Sequence, residues 1–208
     1  DTGFTSSTSR AKVSLISAPF AQVNTASKTL SLEGNPGADA FVADLGSSLV
    51  ASGSTSVTRL SVANLFAAAN IDASGVTGVQ SALLVGATTD NKIIGSAFAD
   101  TIVGGGGADT LVGGAGADVF RMTLAQVAQV ASITGGTVDA QGAMIADTSV
   151  DTLEIQGSGG GTLAASDWSK LVGIEAVQVT GSGNFTLNGI AGSQTLIGGD
   201  GNDTLIGG

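Results

Sequence analysis

The chain has 208 residues, 17 of them acidic and 7 basic, for a formal net charge of −10, with no Cys and no His. An acidic balance of this size repels nucleic acid and anionic membranes and attracts cations. The missing residue types exclude Cys-based zinc sites, thiol nucleophiles, His general bases and any Ser-His-Asp set.

Hydrophobic residues make up 42% of the chain but aromatic residues only 4%, beside 33 glycines. Small and branched apolar side chains with many glycines suit short strands and tight turns. Residues 1–85 predict a β-rich module. Residues 1–10, rich in Ser and Thr, form a linker or an edge strand. Strands are predicted at 29–33 and 40–43, around the turn Gly34-Asn35-Pro36-Gly37. Residues 62–70 predict a short helix, capped by Ser61 or closed by Asn70, and 79–85 a further β run. No stretch has the length and hydropathy of a membrane-spanning helix or the pattern of a signal peptide. The chain starts at Asp1 and stops inside a repeat, so a fragment of a larger protein is expected, with its targeting signals elsewhere.

From residue 86 a period of nine appears. Gly104-Gly105-Gly106-Gly107-Ala108-Asp109-Thr110-Leu111-Val112 and Gly113-Gly114-Ala115-Gly116-Ala117-Asp118-Val119-Phe120-Arg121 both fit G-G-x-G-x-D-x-U-x, where U is a large apolar residue. The unit 95–103 is looser, with Ser96 and Phe98 in glycine positions, and 86–94 is looser again, with Asn91 for Asp. After this block, Leu124, Val127 and Val130 suit one face of a short helix within 122–132, and residues 151–156 alternate like a strand. Ser166-Asp167 before Trp168 starts a helical turn ending near Gly173, with a β run next at 174–179. A second block closes the chain: 198–206 fits fully, and 189–197 has Gln194 where Asp is expected. The chain thus divides into four segments: a β-rich module at 1–85, a β-roll block at 86–121, a β module with short helices at 122–188, and a truncated second block at 189–208. A flexible glycine linker has no reason to place Ile93, Ile102, Leu111 and Phe120 nine residues apart.

The spacing dictates the chemistry. About six residues of each unit form a turn and about three a strand. Glycines free the carbonyl oxygens to point inward, and aspartate supplies a hard anionic oxygen. Calcium takes about 6–8 such oxygens, more than one turn offers. If two nonamers make a coil, each residue stacks on its equivalent 18 positions on. Asp100 then pairs with Asp118, and Asn91 with Asp109, the latter weaker for having one carboxylate. Asp203 looks back to Phe185, which is no ligand, so it makes a half-site, and the closing block is expected to be poorly formed or completed by residues beyond Gly208. The stretch 34–42 also fits the nonamer except for Asn35, making Asp39 a further candidate. It has no carboxylate 18 positions away, and a β-turn between strands is the favoured reading.

These nonamers resemble the RTX (repeats-in-toxin) family of secreted bacterial proteins. The resemblance implies an all-β fold, a parallel β-roll or β-solenoid with few short helices, and Ca2+ bound between successive turns. It implicates the carboxylates of Asp100, Asp109 and Asp118. It also implicates backbone carbonyls at Gly95, Ala97, Gly104, Gly105, Gly106, Gly107, Gly113, Gly114, Ala115 and Gly116. Asn91, Ser96, Phe98 and Gln194 depart from the pattern. Export by a type I secretion system, and folding on meeting external calcium, are implied as well. The segment Leu171-Val172-Gly173-Ile174-Glu175-Ala176-Val177 after a Ser-Asp-Trp turn looks like the β modules of surface-layer proteins and large adhesins.

The expected function is a secreted, calcium-binding structural module of the bacterial cell surface, not an enzyme, with self-association or a neighbouring surface protein or polysaccharide as partner and no nucleic acid or membrane insertion. The alternative is the accessory domain of an exported enzyme or toxin. Asp147, Asp151 and Glu154 lie close enough in sequence for a glycosidase pair, but exposed strand-edge residues are the favoured reading. An ice- or sugar-binding solenoid needs a longer Thr ladder than Thr101 and Thr110 supply. Clustered aspartates repel without metal, so the calcium-free chain is expected to be partly disordered. Circular dichroism during a calcium titration should show β structure being gained; a spectrum unchanged by chelator would contradict this.

Overall fold

The structure, a computed structural model, describes residues 70–77, 81–145 and 147–208, together with the strands Lys12–Leu15, Ala21–Asn24, Thr29–Leu32, Gly37–Asp44, Leu49–Ser54 and Val57–Ala63. The chain winds into a β-solenoid of about six coils, mostly parallel β with few short helices. One sheet of nine strands and one of eight form its long faces. From Thr29–Leu32 to Ser132–Thr134, successive strands go to alternate sheets, so each coil adds one rung to each. Parallel pairing dominates; the antiparallel pairs in the long sheets are Lys12–Leu15 with Gly37–Asp44 and Ala21–Asn24 with Thr29–Leu32.

The 18-residue register is present in the repeat block. Ile102 pairs with Leu84 before it and Phe120 after it, and Ile93 pairs with Leu111. The strands here are only three or four residues long because the rest of each nonamer is turn. One central side chain per strand points inward, and these build two facing ladders. Leu84, Ile102, Phe120, Leu153 and Val177 stack along the first sheet. Ile71, Ile93, Leu111, Ile133 and Leu171 stack along the second. All but Leu171, at 6%, are wholly inaccessible to solvent. Such a core gains stability by burying aliphatic area, at about 25 cal/mol per Å2.

The same two sheets run through residues 85/86 and 121/122, so the repeat block is continuous with its flanks. Outside the block the coils lengthen without losing the stack. Phe120 pairs with Leu153, 33 residues on, because a helix and a hairpin are inserted. The helix Leu124–Gln129 appears where its apolar spacing predicts it, with Thr123 and Gln126 forming a reciprocal capping box and Val127 buried. The hairpin pairs Thr137–Val138 with Met144–Ile145. The strand Thr152–Gln156 also forms where its alternation places it. The helical turn forms around Trp168 but runs Ala165–Lys170, with Ala164 rather than Ser166 at its N-cap, and gives way to the strand Leu171–Val172 before Gly173.

Several expectations are corrected. Val62 and Ala63 end the strand Val57–Ala63, so the predicted helix at 62–70 does not begin there; residues 64–69, like the turn at 33–36, lie outside the described residues. Asp39 falls within the strand Gly37–Asp44, paired to the next coil with a register shift between Gly37 and Ala40, rather than at the end of a turn. Residues 189–208 are well formed as two more rungs. Leu196 pairs with Val177 and Leu205 with Leu187, because the preceding strands already offer a template. These closing rungs use a different partner sheet. Coil 152–172 places a strand in the first sheet, one in a third sheet (Gly161–Leu163) and one in the second (Leu171–Val172), where the second sheet ends. The final strands alternate between the first and third sheets.

Phe120 is the largest wholly buried side chain in the first ladder. Phe120→Ala should cost about 3–5 kcal/mol in saturating calcium, measured by chemical denaturation. A loss below about 1 kcal/mol would mean that the coils do not pack as described.

Candidate metal centre

The turns gather on the two edges between the long sheets. On one edge the turns Gly95 to Asp100 and Gly113 to Asp118 stack. Their carboxylates reach back one coil. Asp100 Oδ1 accepts the Ala82 N–H at 2.9 Å, and Asp118 Oδ1 accepts the Asp100 N–H at 2.8 Å. On the opposite edge the turns Gly86 to Asn91 and Gly104 to Asp109 stack likewise, and Asp109 Oδ1 accepts the Asn91 N–H at 2.8 Å. The structure thus brings together both predicted pairs, Asp100 with Asp118 and Asn91 with Asp109. All four residues are buried.

The glycines leave room for this. A Cβ on Gly95 would collide with the Gly113 carbonyl oxygen and sit 2.6 Å from Asp100 Oδ2. Carboxylate and next-coil carbonyl therefore converge on a point that only glycine leaves open. Gly114 turns the chain at φ +115°, a region that side chains rarely enter. Gly104 lies against Asp109 Oδ2 and Gly113 against Asp118 Oδ2, while Ala97 and Ala115 occupy the outer part of their turns. Gly105, Gly106, Gly107 and Gly116 complete the turns, each with positive φ.

The departures from the repeat have consequences. Ser96, in a glycine position, donates its N–H to Asp100 Oδ2 at 2.5 Å and its hydroxyl to Oδ1 at 3.0 Å. Asp100 is thereby partly satisfied within its own turn. Asp118 is not: its Oδ2 is buried with no hydrogen-bond partner. An orphaned buried carboxylate oxygen costs several kcal/mol of desolvation unless a cation or proton takes it up. Gln194 Oε1 accepts the Ile190 N–H at 3.2 Å, standing in for the missing aspartate as Asn91 does with Ala87 at 2.7 Å. Asp203 Oδ1 accepts the Phe185 N–H at 2.8 Å, so this half-site keeps the register without a second carboxylate.

The edges end differently. After Asp109 the next turn is replaced by the helix Leu124–Gln129, and Gln126 Nε2 donates to the Gly105 carbonyl at 2.7 Å. An amide proton thus occupies an oxygen that calcium would otherwise compete for. On the other edge the column continues past the repeats. Asp151 Oδ1 accepts the Asp118 N–H at 2.8 Å, and Glu175 Oε2 accepts the Asp151 N–H at 2.9 Å. Asp151 is 2% exposed, which corrects its reading as an exposed strand-edge residue. Glu154 is held in an ion pair with Arg121 at 3.0 Å, and Asp147 is exposed. The spacing of nine missed Asp151 because the insert puts it 33 residues after Asp118. The only sequence signal was a carboxylate directly before an alternating strand.

Among the described residues, no three acidic side chains converge as a metal-binding group. The donor set is instead pairs of carboxylates or amides with glycine carbonyls, all hard oxygens, and it fits calcium. The model for the RTX calcium-binding nonapeptide repeat matches residues 85–120 and 188–208, in four copies. The chain carries RTX calcium-binding nonapeptide repeats. Comparison with curated proteins and with solved structures found no match. In the RTX coils, residues Asp100, Asp118, Asn91 and Asp109 with the glycine carbonyls beside them are the groups that would hold calcium. The ion would supply the positive charge these buried acids lack; among the described residues the one ion pair is Arg121–Glu154, away from them.

Burial raises Asp118 from 3.8 to about 9, with Asp100, Asp151 and Asp147 adding repulsion. Burial also raises Asp100 and Asp151 to about 6, and raises Asp109. Carboxylates raised in the folded state stabilise it fully below about pH 3.8 and lose that contribution as pH rises through their folded values. The metal-free RTX coil should therefore melt higher at about pH 5 than at about pH 8. Calcium should abolish this trend and bind more weakly at the lower pH, because protons compete for the same oxygens. Melting scans in chelator and in calcium test both; a metal-free chain more stable at the higher pH would contradict the argument.

Proposed function

We propose that this calcium-binding RTX module is an exported structural element of a bacterial cell surface, in a surface layer or large adhesin, whose coils stiffen where calcium is abundant. The observation that carries this reading is the column of buried, unneutralised carboxylates running through a continuous solenoid core. A coil of this kind is poorly stable in a calcium-poor cytosol and stable outside. Extracellular calcium modules typically bind with Kd of about 10⁻⁴–10⁻³ M. A site that binds only the folded state adds about 2.7 kcal/mol at a free calcium level 100-fold above Kd. Several such sites switch a marginal coil into a rigid one, compatible with type I secretion as an unfolded chain.

A structural rather than catalytic role is favoured by the chemistry available. The sequence has neither His nor Cys, and the buried acids are tied to backbone amides of the stack. The last two strands leave Ile197, Leu205 and Ile206 exposed at 44%, 47% and 48%, an apolar surface suited to a second copy. Electron microscopy and light scattering on addition of millimolar calcium should reveal filaments or sheets that chelator disperses. A chain that folds in calcium yet stays monomeric would favour the accessory domain of an exported enzyme or toxin instead.

A further inference from the structure

The constellation seen at Gly95 recurs beyond the nonapeptides. A Cβ on Gly113 would run into both Asp118 Oδ2 and the carbonyl oxygen of Gly135. Gly135 repeats the arrangement with Asp151 Oδ2 and the Gly173 carbonyl. In each case a glycine, its own turn's carboxylate and the next coil's glycine carbonyl meet at one point. Gly135 and Asp151 belong to no nonamer, and the matched repeat ends at residue 120. They are brought into line by backbone bonds: Gly114 N–H to Gly135 O at 3.0 Å and Thr152 N–H to Asp118 O at 2.8 Å. The hairpin at 137–145 is thus an insertion between the two halves of a repeat-like turn.

We propose that the calcium column continues through this interrupted turn, with Asp118, Asp151 and the Gly135 carbonyl forming a further calcium site outside the nonapeptide repeats. The independent sign of a ligand is Asp118 Oδ2, which is wholly buried and unpartnered. Its other oxygen is taken by the preceding coil, through Asp100 N–H. The free oxygen lies toward Gly135, on the side of the Asp151 coil. Two carboxylates and carbonyl oxygen make a hard, oxygen-only donor set, which suits calcium and no softer metal. Asp147 adds negative charge over the same turn, where its carboxylate accepts the Gly116 N–H at 3.0 Å. The opposite edge shows what closure looks like: there Gln126 donates to Gly105 O and the column stops. Among the described residues, no side-chain amide plays that part at Asp118, whose Oδ2 has no partner.

The inference rests on calcium being the ion of the RTX coils, and the test separates the two claims. Native mass spectrometry of the full chain titrated with calcium counts the ions. Asp151→Asn keeps an oxygen for the Asp118 N–H and removes the charge; it should bind one calcium fewer than the unaltered chain. Asp100→Asn should weaken the site between the nonapeptide turns instead. A lanthanide-soaked crystal of the unaltered chain supplies a measurement that needs no variant: an anomalous peak is expected between Asp118 and Asp151. Unchanged stoichiometry in Asp151→Asn, or an empty position there beside a filled one between Asp100 and Asp118, overturns the proposal. Absence of calcium from every position would overturn the RTX reading and this one together.

Discussion

A side-chain carboxylate accepting a backbone N–H from the coil before it is the contact that the rest of the molecule depends on. It recurs at Asp100, Asp118, Asp151 and, through its longer arm, Glu175. Each bond satisfies an amide at the turn, where the short strands can no longer do so. Each also fixes the vertical register of two coils, so the apolar ladders of the two sheets stay aligned. The bond has a cost built into it, because it stacks anions in a dry interior. Repulsion and desolvation then weaken the fold wherever no cation compensates. Stability and metal response come from the same residues.

The two edges of the solenoid resolve this tension in different ways. One is closed by the helix Leu124–Gln129, which covers the Asp109 turn and gives its carbonyl a neutral partner in Gln126. That helix is held in turn by Lys170, whose ammonium donates to Ala128 O at 2.6 Å and Val127 O at 3.3 Å at the helix C-terminus, where positive charge is favoured. The other edge stays open to charge through two longer coils. Between them sits the junction at which the second sheet gives way to the third. Trp168 marks it, buried and donating Nε1–H to Asn188 O at 2.7 Å. The second repeat block can therefore start on a new sheet pair without a break in the core.

This arrangement connects packing to function. An aliphatic ladder alone would make a solenoid indifferent to its surroundings. Carboxylates at the turns instead tie the stability of the coil to the cation they would hold, through the linkage between metal binding and the folded state. The degenerate units tune that dependence. Ser96 relieves Asp100 from within its turn, and Asn91 and Gln194 keep the hydrogen bond while giving up the charge. The strongest demand for a cation falls at Asp118, where two coils meet and one oxygen has no partner.

Within the block, the sequence by itself determined the coil. Ile93, Ile102, Leu111 and Phe120 recur every nine residues, and a period of that length places them all inside and the aspartates all at turns. The pairing of Asp100 with Asp118 and Asn91 with Asp109 came from the same count. Local signals were enough for the helix after Thr123 and the strand before Gln156. Only the tertiary structure decided where the stack goes once the count fails. Insertions of helix and hairpin change the residues per coil but not the spacing between rungs, since backbone hydrogen bonds set that spacing. Asp151 beneath Asp118, the change of sheet at Trp168 and the ordered final rungs are therefore visible in space and absent from any fixed period. The reason is physical: periodicity records the local winding of the chain, whereas burial of a carboxylate depends on which distant coil lies against it.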